Sequence, residues 1–458
     1  MRRVVEGRLR SLRASACIAL LASFGGALAL GVVAPSAANP VLSFARPSKY
    51  PTGKAPASVA LGDLNGDRKL DLVTVNGPAL STLLNRGDGG FTSRRDYATT
   101  HADFVALSDL NGDGRLDVAT VNADSVSVFL NTGSRTFAPR RDYAIGATVV
   151  GDNIAVGDVN GDGLPDLAAL NEVASTIAVF PNAGDGTFPT RRDYQTADDP
   201  QFVAIGDLNG DGKADLVTVN GEVASVLLNR GDGSFGGRHD YPTGSWSDSV
   251  AIADLNADGA PDLATDNNGD TGGDTSGTVS VLLTRGDGTF RRRRDYVATD
   301  ALGIAIGDLN GDRKPELVTR GETYNNSGDT IVYVLVNRGD GSFEPKLGYP
   351  AGQNPSSLAL GDLNGDGRLD VATGNFDGDD VSVLLNTPGL CTVQDAWRMT
   401  VPAARRTITR GNCRVGTIRR VYSHGVKRGR VISQKPDRFT VLKKGATVRL
   451  VVSRGRKR

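Results

Sequence analysis

The chain has 458 residues, room for two to four domains at roughly 100–200 residues each, with 58 glycines and only 39% apolar residues. Glycine at nearly twice its usual share of about 7% excludes coiled coils and helical bundles and favours short strands joined by tight turns. The formal charge is zero, but residues 39–390 carry 28 basic and 49 acidic side chains and residues 391–458 carry 19 and 2, so a basic tail follows an acidic body.

At the N-terminus, Arg2, Arg3, Arg8, Arg10 and Arg13 precede an apolar run over 14–34, and the small residues Ser36 and Ala38 stand before Asn39. This is the pattern of a secretory signal peptide over residues 1–38, so a secreted, extracellular protein is expected. An uncleaved anchor is the alternative, because the apolar run is nearly long enough to span a bilayer. Cleavage removes Cys17 and leaves Cys391 and Cys413, an even count in an oxidising compartment that predicts a disulfide.

One nine-residue phrase, D-L-N-G-D-G-R-L-D in its second copy, recurs seven times, starting at Asp63, Asp109, Asp158, Asp207, Asp254, Asp308 and Asp362. Successive starts lie 46, 49, 49, 47, 54 and 54 residues apart, the length of one four-stranded propeller blade. Each copy reads as an alternating run such as Val59 to Gly62, the Asp-rich loop, two further strands, and a turn, of the form N-x-G-D-G-x-F in most copies, leading to a strand that ends near Tyr. The hairpin glycines supply the positive φ of a tight turn. Copy seven lacks its fourth strand, whereas the mature chain opens with Phe44 to Tyr50 and no loop before it. The first strand is therefore expected to complete the last blade and remove open sheet edges. The fold class over residues 39–390 is all-β, a seven-bladed β-propeller of four-stranded blades.

The nine-residue phrase also carries the chemistry. A hard cation such as Ca²⁺ takes six to eight oxygens, and a short loop with carboxylate or amide oxygens at positions 1, 3 and 5 can wrap it. In copy two these are Asp109, Asn111 and Asp113, with Gly114 for the sharp turn and Asp117 at position 9 to close the sphere. The matching sets are Asp63, Asn65, Asp67 and Asp71; Asp158, Asn160, Asp162 and Asp166; Asp207, Asn209, Asp211 and Asp215. Asp254, Asn256, Asp258 and Asp262 follow, then Asp308, Asn310, Asp312 and Glu316, and finally Asp362, Asn364, Asp366 and Asp370. Up to seven Ca²⁺ ions are expected. Copies one and six, with Arg68 and Arg313 at position 6 and Glu316 as closing residue, are expected to bind weakly or not at all, and Ala257 replaces a loop glycine in copy five.

These loops resemble the FG-GAP/VCBS repeats of the integrin α-subunit head and of secreted bacterial repeat proteins, a resemblance that implies the propeller and its calcium. Related propellers serve adhesion, lectin activity, polysaccharide cleavage or scaffolding, so the fold does not choose the function. From Cys391 the chain changes character. Cys413-Arg-Val-Gly416, Gly429 to Pro436 and Lys444 to Gly455 resemble a PASTA domain over residues 391–458, which implies a helix on a small sheet, α+β, and a cell-wall polymer as partner, peptidoglycan or an anionic glycan.

Arg-Gly-Asp at Arg86, Arg230, Arg285 and Arg338 reads as hairpin scaffolding, and the repeated Arg-Arg-Asp-Tyr as outer-strand contacts. His101, His239 and His424 form no catalytic or metal set, so no catalysis is expected. Binding or adhesion is the favoured function, with a polysaccharide lyase or hydrolase, or a calcium-dependent lectin, as alternatives. The second-to-third and fourth-to-first connections vary between copies, with insertions at Asp266 to Gly277, Gly321 to Asp329 and Asn375 to Asp380. Variable loops on a rigid scaffold gather binding residues, so an unidentified glycan or protein ligand is expected there, with Trp246 as its stacking residue and burial of Trp246 between blades as the alternative. A monomer with no nucleic-acid partner is expected.

Overall fold

The computed structural model describes residues 42–133, 135–146, 153–269, 277–298, 301–321 and 330–457. The leader, most of the copy-six insertion and part of the copy-five insertion lie outside the described residues. Among the described residues the fold is nearly all-β, built of many small sheets with one helix.

Each Asp-rich phrase joins two antiparallel strands whose register it fixes, as in copy two, where Ser108 pairs with Asp117, and copy three, where Gly157 pairs with Asp166. Most copies continue as four-stranded antiparallel units such as Ile154–Gly157, Asp166–Asn171, Thr176–Phe180 and Arg192–Gln195. Copies one and four run their second and third strands together as Asp71–Leu83 and Asp215–Leu227, with Gly77 and Gly221 at positive φ where the chain turns. The first strands touch in cyclic order from copy one to copy seven, and Pro355–Gly361 of copy seven touches Ser58–Gly62 of copy one.

The glycine that closes the first strand in five copies explains the close approach. A Cβ on Gly62 would stand 2.8 Å from Leu107 of copy two, on Gly157 2.8 Å from Ile205, and on Gly361 2.9 Å from Leu61, so the last copy interlocks with the first in the same way. The seams carry a further repeated contact. Tyr at the end of one copy's outer strand meets the hairpin Phe of the next edge-on, with centroids 4.8 Å apart for Tyr97–Phe137, 4.9 Å for Tyr194–Phe235 and 5.3 Å for Tyr296–Phe343.

The N-terminal segment completes this pattern. Ser48–Pro51 pairs antiparallel with Asp380–Leu384 of copy seven, Phe44 bridges Asn386 as Phe91, Phe235 and Phe343 bridge Asn85, Asn229 and Asn337, and Phe44 packs 4.8 Å from Tyr349 of copy six. Tyr50 in turn packs on Phe91 of copy one. The outer-strand arginines act at the seams as expected: Arg191 pairs with Asp193 and donates to the Ala144 carbonyl of the preceding copy.

The C-terminal unit packs the helix Val401–Arg410 on the sheet Arg414–Val421, Thr447–Ser453, Val431–Lys435. Thr400 caps the helix by accepting the Ala403 N–H, Pro402 sits in the first turn, and Ala404 and Ile408 face the core with Val431, Val448 and Leu450. Cys391 and Cys413 form the expected disulfide. This unit rests on copy six, whose outer strand Leu347–Pro350 is largely buried where the equivalents in other copies are exposed. Gln394 accepts the Gly348 N–H at 2.8 Å and donates to its carbonyl at 3.0 Å, Phe439 lies where a Cβ on Gly348 would be, and Arg410 donates to Pro345 and pairs with Glu344.

Candidate metal centres and the opposite face

The Asp-rich loops have one backbone geometry throughout. The position-1 carboxylate turns back over its own loop: Asp63 Oδ1 accepts the N–H groups of Gly66 and Asp67 and its Oδ2 that of Arg68, and Asp109, Asp207, Asp254, Asp308 and Asp362 behave alike. In copy three Asp158 accepts from Gly161 and Gly163. The position-3 amide oxygen accepts the position-5 N–H, as Asn111 does from Asp113 at 3.0 Å and Asn364 from Asp366 at 3.0 Å. Position 5 in turn accepts the position-7 N–H, as Asp162 does from Leu164 and Asp211 from Lys213. Each loop is thus a nest of local acceptors with its carboxylates gathered at a solvent-facing turn.

Arg68 and Arg313 keep this geometry. Both adopt positive φ, 64° and 66°, where other copies have Gly at about the same angle, and their N–H groups still bond the position-1 carboxylate. The substitution strains the backbone without reshaping the loop. Ala257 does the same at position 4 with φ 61°. Copy six differs elsewhere, because Glu316 draws the side chain of Asn310 to itself with an Nδ2–H bond of 2.9 Å.

Position 9 has a role that the spacing of the phrase did not reveal. Asp71, Asp117, Asp166, Asp215, Asp262, Glu316 and Asp370 are all fully buried. Oδ2 of each Asp accepts the N–H of loop position 2, and Oδ1 accepts the N–H of the hairpin residue that opens the third-to-fourth turn, as Asp117 does from Leu110 at 2.9 Å and Asn131 at 2.6 Å. Burial, with the position-1 and position-5 carboxylates adding repulsion, pushes the six aspartates up to about 6 and Glu316 up to about 8. That hairpin asparagine also reaches the neighbouring copy. Asn182 Nδ2 donates to Leu110 of copy two and to Pro165 of its own loop, and Asn85 reaches Leu363 of copy seven, again joining the last copy to the first. The Asp-rich loop is therefore bonded into the seam between copies.

The donor set fits a hard divalent cation in kind: three carboxylates and an amide oxygen per loop, with mutual repulsion that a cation would relieve. As placed, however, the oxygens point to backbone N–H groups, and among the described residues no three acidic groups converge closely enough to enclose a metal.

On the opposite face the second-to-third and fourth-to-first connections lie together, tied by bonds such as Ile145 N–H to Asp124 and Thr196 N–H to Ser175. Trp246 belongs here, in the strand His239–Ser247, at φ 58° and 41% exposed, and its carbonyl accepts the Asn268 N–H. Burial between blades is thus not its state. Val173 and Val297 are exposed on the same side. Asp266 and Asn267, expected to begin an insertion, instead end the strand Asp262–Asn267 and are buried. Asp266 accepts N–H groups from Asp248, Ser249 and Gly303 and so ties copy five to copy six, a role without a sequence signal beyond an Asp where copies one to four have Val or Leu.

Comparison with individual known proteins gives short or distant likenesses. A stretch of 88 residues is 35% identical to a probable serine/threonine-protein kinase of Clostridium acetobutylicum, covering 19% of this chain and 11% of the kinase. Among solved structures, a lectin of Agrocybe aegerita described as recognising non-reducing terminal N-acetylglucosamine covers 70% of this chain and 85% of its own at 22% identity and a TM-score of 0.47. A Tc holotoxin pore of Photorhabdus luminescens covers 65% of this chain and 16% of its own at 18% identity and a TM-score of 0.37. Both TM-scores lie below 0.5, so neither likeness bears on function. The chain carries FG-GAP-like repeats, matched over residues 109–169, 158–218, 207–265 and 320–373, followed by a PASTA domain over residues 392–454.

Proposed function

We propose that this is a secreted, monomeric binding protein. Its seven FG-GAP-like units form a seven-bladed β-propeller stiffened by Ca²⁺, and its PASTA domain holds it at a bacterial cell-wall polymer. The seven-bladed reading is supported by the cyclic contact of the first strands and by the interlock of Gly361 with Leu61. Positions 1, 3, 5 and 9 of each loop would hold the ion, which when bound supplies positive charge that offsets the repulsion among the loop carboxylates. The chain's own part is to keep those oxygens at a fixed turn and to connect the turn to the next copy through the hairpin asparagine.

The observation that carries the binding reading is the contrast between the two faces. One face repeats the same Asp-rich loop seven times, as scaffolding does. The other varies from copy to copy and presents Trp246 in a strained, half-exposed conformation, the kind of backbone cost that persists where function maintains it. The ligand is a glycan or a protein, and the reading assigns no catalysis.

The test is retention of the mature protein on purified peptidoglycan and on a glycan panel, with and without chelator. Deleting residues 391–458 should release the protein from cell walls, and Trp246→Ala should weaken retention of the propeller ligand while leaving wall association intact. Equal partition of truncated and full-length protein at low salt would remove the anchor from the reading, and unchanged retention by Trp246→Ala would move the ligand site.

A further inference from the structure

The C-terminal unit concentrates charge that it cannot neutralise. Its two carboxylates are already engaged, Asp395 with Arg438 at 2.8 Å and Asp437 with Lys435 at 2.9 Å. Seventeen of its nineteen basic side chains therefore have no carboxylate of their own domain to meet.

Part of that charge is ordered at one end of the sheet. The Arg398 N–H bonds Val431, the Ser453 N–H bonds Arg430, and the Arg454 N–H bonds Val421. Residues 397–398, 430, 454 and 422 therefore lie side by side across three backbone spacings, about 14 Å at 4.7–4.9 Å each. The two ends of this row are aromatic: Trp397 and Tyr422 are each 54% exposed, unusual for large rings in a unit whose other apolar residues form a core. Each ring is accompanied by an arginine, Arg398 at 4.3 Å from the Trp397 centroid and Arg454 at 5.9 Å from that of Tyr422. Between them the Arg430 side chain is held by the Arg398 carbonyl at 2.9 Å. Among the described residues none of these three arginines has an ion-pair partner, and all three are exposed.

We propose that Trp397, Arg398, Arg430, Arg454 and Tyr422 form a binding row for a phosphate-bearing glycan polymer. The inference rests on the reading of the C-terminal unit as a wall anchor and names the face and the ligand chemistry. Three arginines on successive segments, two backbone spacings or about 10 Å from Arg398 to Arg454, exceed what one small anion can span, so the charge repeats along the ligand. The order aromatic, arginine, arginine, arginine, aromatic suits a chain in which rings alternate with anionic linkages: rings stack at the two ends and phosphodiester oxygens accept from the guanidinium edges between. Single-stranded nucleic acid shares that alternation. The Cys391–Cys413 disulfide favours the glycan, because such bonds persist in oxidising compartments outside the cytosol.

The experiment measures binding of the full mature protein to a purified wall polymer of sugar rings joined by phosphodiesters, to peptidoglycan stripped of such polymers, and to single-stranded DNA, at low and at physiological salt. The variants are the triple Arg398→Gln, Arg430→Gln, Arg454→Gln, the pair Trp397→Ala, Tyr422→Ala, and a charge-matched control, Arg405→Gln, Arg406→Gln, Arg419→Gln. The row predicts a loss of roughly tenfold or more in affinity for the phosphate polymer in both row variants and less than about threefold in the control. Equal losses in row and control variants would overturn it in favour of unlocalised charge, and binding of DNA as tight as that of the glycan polymer would overturn its ligand class. If deletion of residues 391–458 releases the protein from walls but the row variants do not, the anchor stands and the row fails. If neither change releases it, the anchor itself fails.

Discussion

Exchanging the hairpin residues Asn182 and Thr284 tests how the Asp-rich loops are bonded to their neighbours. Asn182 makes three hydrogen bonds from a nearly buried site: Nδ2 to Leu110 of copy two at 2.8 Å, Nδ2 to Pro165 at 2.9 Å, and Oδ1 from the Gly184 N–H at 2.9 Å. Copy five has Thr284 at this position, whose hydroxyl accepts the Gly286 N–H at 3.0 Å but offers no amide to reach either carbonyl. Asn182→Thr therefore keeps one bond and loses two. At about 0.5–1.5 kcal/mol of net stability per bond, the loss is about 1–3 kcal/mol. The reverse change, Thr284→Asn, brings donors toward Leu208 of copy four and Pro261 and should stabilise by an amount in the lower half of that range. Urea unfolding in chelator, so that metal contributes nothing, measures both midpoints at constant slope. An Asn182→Thr protein within about 0.5 kcal/mol of the parent, or a Thr284→Asn protein less stable than the parent, would refute the assignment of seam strength to this side chain.

Three further outcomes follow from the same structure. Arg68→Gly relieves a residue held at φ 64° and should raise stability by about 0.5–1 kcal/mol in the same assay. Burial, then the Asp248 carboxylate, raises the Asp266 pKa well above the usual carboxylate range, so the stability it confers is full below the ordinary pKa and is lost as pH rises through the raised value. Asp248→Asn removes that repulsion, so the variant should lose less stability than the parent between roughly pH 4 and 7, and superimposable pH profiles would contradict this. Replacing Cys391 and Cys413 by Ser opens a link across 22 residues and should lower the stability of the C-terminal unit by about 3 kcal/mol, read as an earlier thermal transition of that unit alone.

Much of this architecture is legible in the chain, for reasons that particular residues make plain. Seven Asp-rich phrases at near-constant spacing announce the repeat, and the lone Phe44 to Tyr50 segment announces its closure because it carries the half-hairpin that copy seven lacks. What stays hidden depends on tertiary register. The phrase marks Asp117 as an oxygen donor but cannot say that its oxygens face two buried N–H groups, one of them on the far hairpin. Asn85 looks like a turn residue, yet its amide bonds a carbonyl 278 residues away. The docking surface for the C-terminal unit did leave a trace: copy six replaces the outer-strand Arg-Arg-Asp-Tyr with Lys346-Leu-Gly-Tyr349. Gly348 stands where copies one to five have Asp, and its cross-strand partner is Tyr333 where copies one, two, four and five have a Ser bonded to that Asp. The paired exchange makes room for Phe439 and Gln394.

The central claim is that the Asp-rich loops hold calcium and that the ions stiffen the closed ring. Native mass spectrometry of the mature protein, paired with thermal melting at millimolar Ca²⁺ and in chelator, tests it most directly. The account predicts several bound calcium ions and a clear rise in melting temperature that chelator abolishes, as expected when ions bind only the folded form. A metal-free mass together with identical melting curves would contradict it.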